Sequence, residues 1–290
     1  MNGVEIFKFL CGLKLEFENF EWLENRGLSE FELLISVILT QNTSWNNVLK
    51  ALENVRRAQI SSIESLNALD TAQIATLIKP SGFYNTKAKR LKGFLNALQK
   101  DFGDLANFKA SVSKQWLLSV KGLGFESSDS ILNYLCQREI LVVDSYTARL
   151  ALALGYEFES YDELREFFES GVESEQDELN EILRQNAKFS AQNSTNSPQN
   201  SLASDKNLSA NSTNLSPRDK NLFSCNANSS QNLTICDKKS KNFNANSRQN
   251  YALYELYQIF HALIIAFGKS YFKGKNLNDK GKAVLAKFMG

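Results

Sequence analysis

Residues 119–135 read "SVKGLGFESSDSILNYL", a helix, a glycine turn and a second helix. An apolar run with one carboxylate, "ILVVDSYTARLALAL" (140–154), follows. Between two short antiparallel helices, Gly-x-Gly turns backbone N–H groups outward where the second helix begins. Unpaired donors and the positive end of the helix dipole then meet in one place. A phosphate oxygen fits there whatever the base sequence. Gly122 and Gly124 form this turn, and Lys121 adds charge before it. The plainer alternative is a helix–helix corner with Gly as a C-cap.

Asp144 precedes a helix of good formers and is a natural N-cap. A carboxylate at a helix N-terminus stays ionised, because the dipole favours the charged form. Facing a phosphate-rich groove it would be repelled. Its place there implies a purpose beyond capping, such as stabilising a developing positive charge or activating a water.

Working outward, the rest of the chain predicts helices. Apolar residues recur at three and four over 31–41, 44–58, 70–80, 85–102, 113–120, 128–137, 145–155, 161–170, 175–186 and 250–272. The segment 31–41, "FELLISVILTQ", is nearly all apolar, as a central buried helix would be. Of three prolines only Pro80 lies outside an Asn/Ser-rich stretch, so helix breakers are scarce elsewhere. The fold class is all-α. The Asn/Ser-rich stretch, 186–250, has few apolar residues and reads as a disordered insert.

Composition narrows the class further. The 290 residues carry a net charge of +1, so any nucleic-acid face must be locally rather than globally basic. Cys11, Cys136, Cys225 and Cys236 are scattered, with no C-x-x-C pair. One histidine, His261, excludes a His-based metal triad. His261 itself reads as a packing residue. No metal or other cofactor is expected. Neither an apolar leader nor a membrane span is visible, so the expectation is a reduced, cytoplasmic protein. Lys87, Lys89, Arg90 and Lys92 read as a solvated helix face.

Several motifs in order resemble a known family. "FELLISVILTQNTSWNNVLKAL" (31–52), "KPSGFYNTKAKRL" (79–91), "KGLGFESSD" (121–129), "VVDSYTARL" (142–150) and "FHALIIAFGK" (260–269) resemble the helix-hairpin-helix DNA glycosylases of the endonuclease III superfamily. The resemblance implies two helical domains: residues 20–135, six helices ending in the hairpin, and 1–19 with 136–185 and 251–290, carrying Asp144. Two departures narrow it. Glu126 stands where bifunctional members carry a Lys that attacks the sugar as an amine nucleophile. The iron–sulfur loop is replaced by "KSYFKGKNLNDKGKAVLAKF" (269–288), without cysteine. Both departures are similar to the monofunctional 3-methyladenine DNA glycosylase branch of epsilonproteobacteria.

That resemblance implies hydrolysis of an N-glycosidic bond after the damaged base leaves duplex DNA. Asp144 would be the catalytic carboxylate. Trp22 and Trp45 would stack the cationic base, a contact worth about 0.5–2 kcal/mol, with core packing as the alternative for either. Glu126 would face the base; otherwise it is a first-turn glutamate favoured by the dipole. Gln41 would fill the gap in the DNA, and Lys121, Gly122 and Gly124 would hold phosphate. The expected partner is double-stranded DNA, bound by a monomer at the bacterial nucleoid. An endonuclease III-type glycosylase/lyase using Lys121 and a non-catalytic DNA-binding module are the competing readings.

Overall fold

The apolar spacing of three and four is realised as helices along the chain. A computed structural model describes residues 1–13, 15, 27–195 and 250–290, with side chains of the first helical segment ending at 186. The helices are α1 (Gly3–Gly12), α2 (Glu30–Leu39), α3 (Trp45–Arg57), α4 (Ile63–Asn67), α5 (Thr71–Leu77), α6 (Tyr84–Phe102), α7 (Leu105–Ser111), α8 (Lys114–Ser119), α9 (Phe125–Ser130), α10 (Ser145–Ala153), α11 (Tyr161–Glu169), α12 (Gln176–Thr195), α13 (Leu253–Tyr271) and α14 (Asp279–Met289). A π-helical turn, Ile131–Leu135, continues α9. Helices α1, α4, α7 and α14 add to those expected.

Two details refine the expected elements. A two-stranded antiparallel ribbon, β1 (Phe272–Lys273) and β2 (Asn276–Leu277), interrupts the all-helical pattern between α13 and α14. Gly274, at φ +65, makes the reversal between the strands. Helix α12 also runs on to Thr195, past the start expected for the insert at 186. Nothing in "NAKFSAQNST" stops it, since Pro198 is the first breaker. The remainder of that insert, 196–249, lies outside the described residues.

Met1–Asn186 and Arg248–Gly290 form one compact unit. Its buried apolar residues fall into two clusters. The first is centred on α2, which is buried from Phe31 to Leu39. Its two buried polar residues are satisfied: Glu32 accepts from Arg56 and Ser36 donates to the Leu33 carbonyl. The second joins α1, α10, α11 and α13, with Phe7 stacked on Phe260 at 4.6 Å. Among the described residues no helix is long and apolar enough to cross a membrane.

The basic face expected on α6 is largely absent. Lys87 is 1% exposed, and its ammonium donates to the carbonyls of Leu39 (2.8 Å) and Ser81 (2.7 Å). Burial, then the charge of Arg90, pushes Lys87 down to about 8. Lys92 donates to the Leu69 carbonyl at 2.7 Å, and only Lys89 is fully exposed. The cause is periodicity. Residue 87 lies on the same stripe as Leu91, Phe94 and Leu98, which are buried. The ammonium closes the C-terminus of α2, where carbonyls lack helical partners.

Candidate active site

The hairpin turn joins α8 to α9. Leu123 is buried, and its N–H bonds to the Val120 carbonyl, which pins the turn. Gly122 sits at φ +101, and a Cβ there would lie 2.7 Å from the side chain of Arg90. Both conformation and space therefore require glycine. Gly124 differs. Its backbone is extended at φ −105, and a Cβ would meet no atom within 4 Å. What Gly124 does is leave the start of α9 without a side-chain cap. Lys121 is exposed beside it. Below the turn, buried Asp129 pairs with Lys114 at 3.0 Å and Arg165 at 3.6 Å, tying α9 to α8 and α11.

Gln41 is brought to this hairpin. Its amide donates to the Gly122 carbonyl (3.0 Å) and the Ser127 hydroxyl (3.1 Å), and Arg90 donates to its carbonyl oxygen at 2.6 Å. Residues 81 positions apart in sequence thus form one polar corner. Arg90 belongs to it.

Asp144 begins α10. Its Oδ1 accepts the N–H groups of Tyr146 (2.8 Å) and Thr147 (2.9 Å), and Thr147 Oγ1 accepts the Asp144 N–H in return. Oδ2 lies 3.7 Å from Nε2 of His261 on α13. Burial works to raise the Asp144 carboxyl. His261 and the two backbone amides outweigh it and hold the group below the usual aspartate range.

Glu126 stands in the first turn of α9. It is exposed to solvent. The surrounding protein, then the charge of Asp144, raises its carboxyl, with His261 opposing. Glu126 and Asp144 are close enough to feel each other's charge. Trp45, the first residue of α3, is half-buried against the first core, and its indole N–H has no acceptor among the described residues. Trp22 lies outside the described residues.

The surroundings of His261 and of Phe83 were not legible in the sequence. His261 is mostly buried, and its Nδ1 meets the hydroxyl of Tyr134 at 2.8 Å. A signal existed: residues 261 and 268 lie two turns apart on one face of α13. A Cβ on Gly268 would come within 2.1 Å of the Tyr146 ring, so α10 and α13 meet closely there. Phe83 precedes α6 with a left-handed backbone at φ 45 and is 71% exposed.

Comparison with known proteins identifies the family. Residues 35–174 match the family described as HhH-GPD superfamily base excision DNA repair protein. A Methanocaldococcus jannaschii protein, provisionally described as a DNA repair glycosylase, is 37% identical over 151 residues, half of this chain and 69% of its own. An endonuclease III of Buchnera aphidicola is 32% identical over 127 residues, spanning 42% of this chain and 56% of that protein. The crystal structure of the H. pylori 3-methyladenine DNA glycosylase MagIII, bound to 1,N6-ethenoadenine, is similar with a TM-score of 0.64 and 30% identity. That similarity covers 94% of this chain and all of the other. The chain belongs to the HhH-GPD superfamily of base excision DNA repair proteins. Within it, the protein is a DNA glycosylase, and its hairpin and Asp144 both fall inside the matched residues.

Proposed function

We propose that this protein is a monofunctional glycosylase that removes alkylated purines, 3-methyladenine above all, from duplex DNA. The observation that carries this is the state of Asp144, an anchored and ionised carboxylate with Glu126, not a lysine, on the neighbouring hairpin helix. The similarity to the H. pylori enzyme supports the substrate class.

The chemistry follows from the residues. As the N-glycosidic bond breaks, the electron pair leaves with the base and positive charge grows on the sugar. Asp144, ionised at neutral pH, stabilises that charge, orients the water that bonds to the sugar carbon and takes its proton. N3-methyladenine is cationic while attached, so it departs without help from a general acid. Trp22, Trp45 and Glu126 are assigned to the flipped base, the aromatics by cation–π contact. The bare N-terminus of α9, with Lys121, is assigned to a phosphate. Gln41 is assigned to the gap left by the base, and Phe83 to the DNA surface beside it. The reading takes the two cores as two lobes, with no metal or cluster and one protein molecule per site.

The test is chromatography of methylated genomic DNA treated with purified protein and a chelator. Free 3-methyladenine with an uncut backbone is expected. Cleavage of thymine-glycol DNA, with a borohydride-trapped adduct lost in Lys121→Ala, would replace this reading with the lyase one. DNA binding without release of any base would leave a non-catalytic binding module.

A further inference from the structure

We propose that His261, held by Tyr134, is a positioning residue that keeps the Asp144 carboxylate aimed at the reacting sugar. This rests on the assignment of Asp144 above, and it extends the site to a helix outside the matched family region.

A carboxylate has two oxygens to control. Oδ1 of Asp144 is taken by the α10 amides, which hold it as a cap. Those amides do not touch Oδ2. That oxygen faces His261 Nε2 at 3.7 Å, the distance of an electrostatic contact rather than a hydrogen bond. Tyr134 meets the other ring nitrogen of His261. Its hydroxyl lies 2.8 Å from Nδ1, and a hydroxyl donating there leaves the ring proton on Nε2, toward Asp144. The imidazole thus offers a positive edge to an anion that burial alone would tend to neutralise.

The surrounding backbone holds this arrangement. The π-helical turn of residues 131–135 presents Tyr134, and such turns recur at functional sites. Asn133 fastens that turn to α13 by donating to the Tyr254 carbonyl at 3.1 Å. Seven residues after His261, Gly268 brings α10 against α13. The two ends of the His261–Asp144 contact are therefore fixed by separate close approaches.

The experiment measures excision with enzyme in excess over methylated genomic DNA, and separately the Kd for a duplex carrying an abasic-site analogue. His261→Leu should lower the single-turnover rate by about 10²-fold, the scale expected of a small misplacement at a reacting centre. Its Kd should stay unchanged. His261→Gln, which restores an N–H donor, should recover most of that rate. Tyr134→Phe removes one hydroxyl without emptying the core and should slow excision about tenfold at unchanged Kd. A Leu variant as fast as wild type overturns the proposal. So do Leu and Gln variants that lose rate equally, in step with their melting temperatures, because packing alone would then explain them. If wild type releases no methylated base but acts on thymine glycol, the substrate reading fails, and the same rate ratios on that DNA judge His261. Inactivity of the wild type on both DNAs removes the role of Asp144 and overturns the proposal with it.

Discussion

Helices α9 and α10 begin in opposite ways. Helix α10 starts at Asp144, whose own carboxylate accepts its first free amides. Helix α9 starts at Gly124, and no side chain caps it. Asn2, Ser29, Asp70, Asp104, Ser160 and Asn278 cap other helices in this protein. Glycine at a cap position costs a few tenths of a kcal/mol relative to such residues, a small cost borne at the hairpin. The contrast separates two electrostatic tasks. Under the proposed function, the uncapped end of α9 offers its donors to a phosphate from outside. The end of α10 has spent its donors on an anion of its own, which that reading assigns to the sugar.

The largest test of that contrast removes the anion from α10. Asp144→Asn keeps a good cap. It should reduce base release by about 10³-fold, near 4 kcal/mol in the barrier, with DNA affinity unchanged or higher. Excision assays beside filter binding check this, and undiminished release would refute the assignment. Next in size is a helix end of the opposite polarity. Lys87→Met strands the Leu39 and Ser81 carbonyls and should destabilise the fold by about 3 kcal/mol in urea denaturation.

A smaller effect comes from making α9 resemble α10. Gly124→Asp enters open space in an extended backbone and supplies the missing cap. Stability should rise by a few tenths of a kcal/mol, while DNA binding should weaken about tenfold with a salt slope lower by about one. Tighter binding would mean that α9 does not receive phosphate.

The smallest effect lies in pH. The Asp144 carboxyl is held low in the folded state, so its stabilising contribution is present above the usual aspartate range and is lost as pH falls through the lowered folded value. The stability gap between wild type and Asp144→Asn should shrink on acidification. Glu126 is raised, so its contribution is present at low pH and lost as pH rises from the usual glutamate range through the raised folded value. Glu126→Gln should gain on wild type in that direction. Denaturation curves across a pH series read both signs.

Much of the fold was legible because apolar spacing reports a helix directly. Helices α2, α3, α6 and α13 lie where "FELLISVILTQ", "SWNNVLKALENVRRA", "NTKAKRLKGFLNALQKDF" and the run ending "FHALIIAFGK" place them. Gly122 and the Asp144 cap were legible too, being local conformational requirements. Lys87 was not. A lysine in a run of basic residues looks solvated, and only its register with Leu91, Phe94 and Leu98 marks it as buried. The contact of His261 with Asp144 was not legible for a different reason. One histidine within an apolar helix has no local signature of a site, and its partners come from residues 127 and 117 positions away.

Periodicity, caps and turn glycines are interactions among neighbours, within a few residues, and the amino-acid order alone determined them here. The helical class, the hairpin and the carboxylate at the start of α10 belong to that category. Which polar groups share a volume is set by packing of distant helices. Only the tertiary structure could place Gln41 and Arg90 against Gly122, or His261 beside Asp144. Close approach at Gly268 and burial in two separate cores decide those distances, and neither is a property of any short segment.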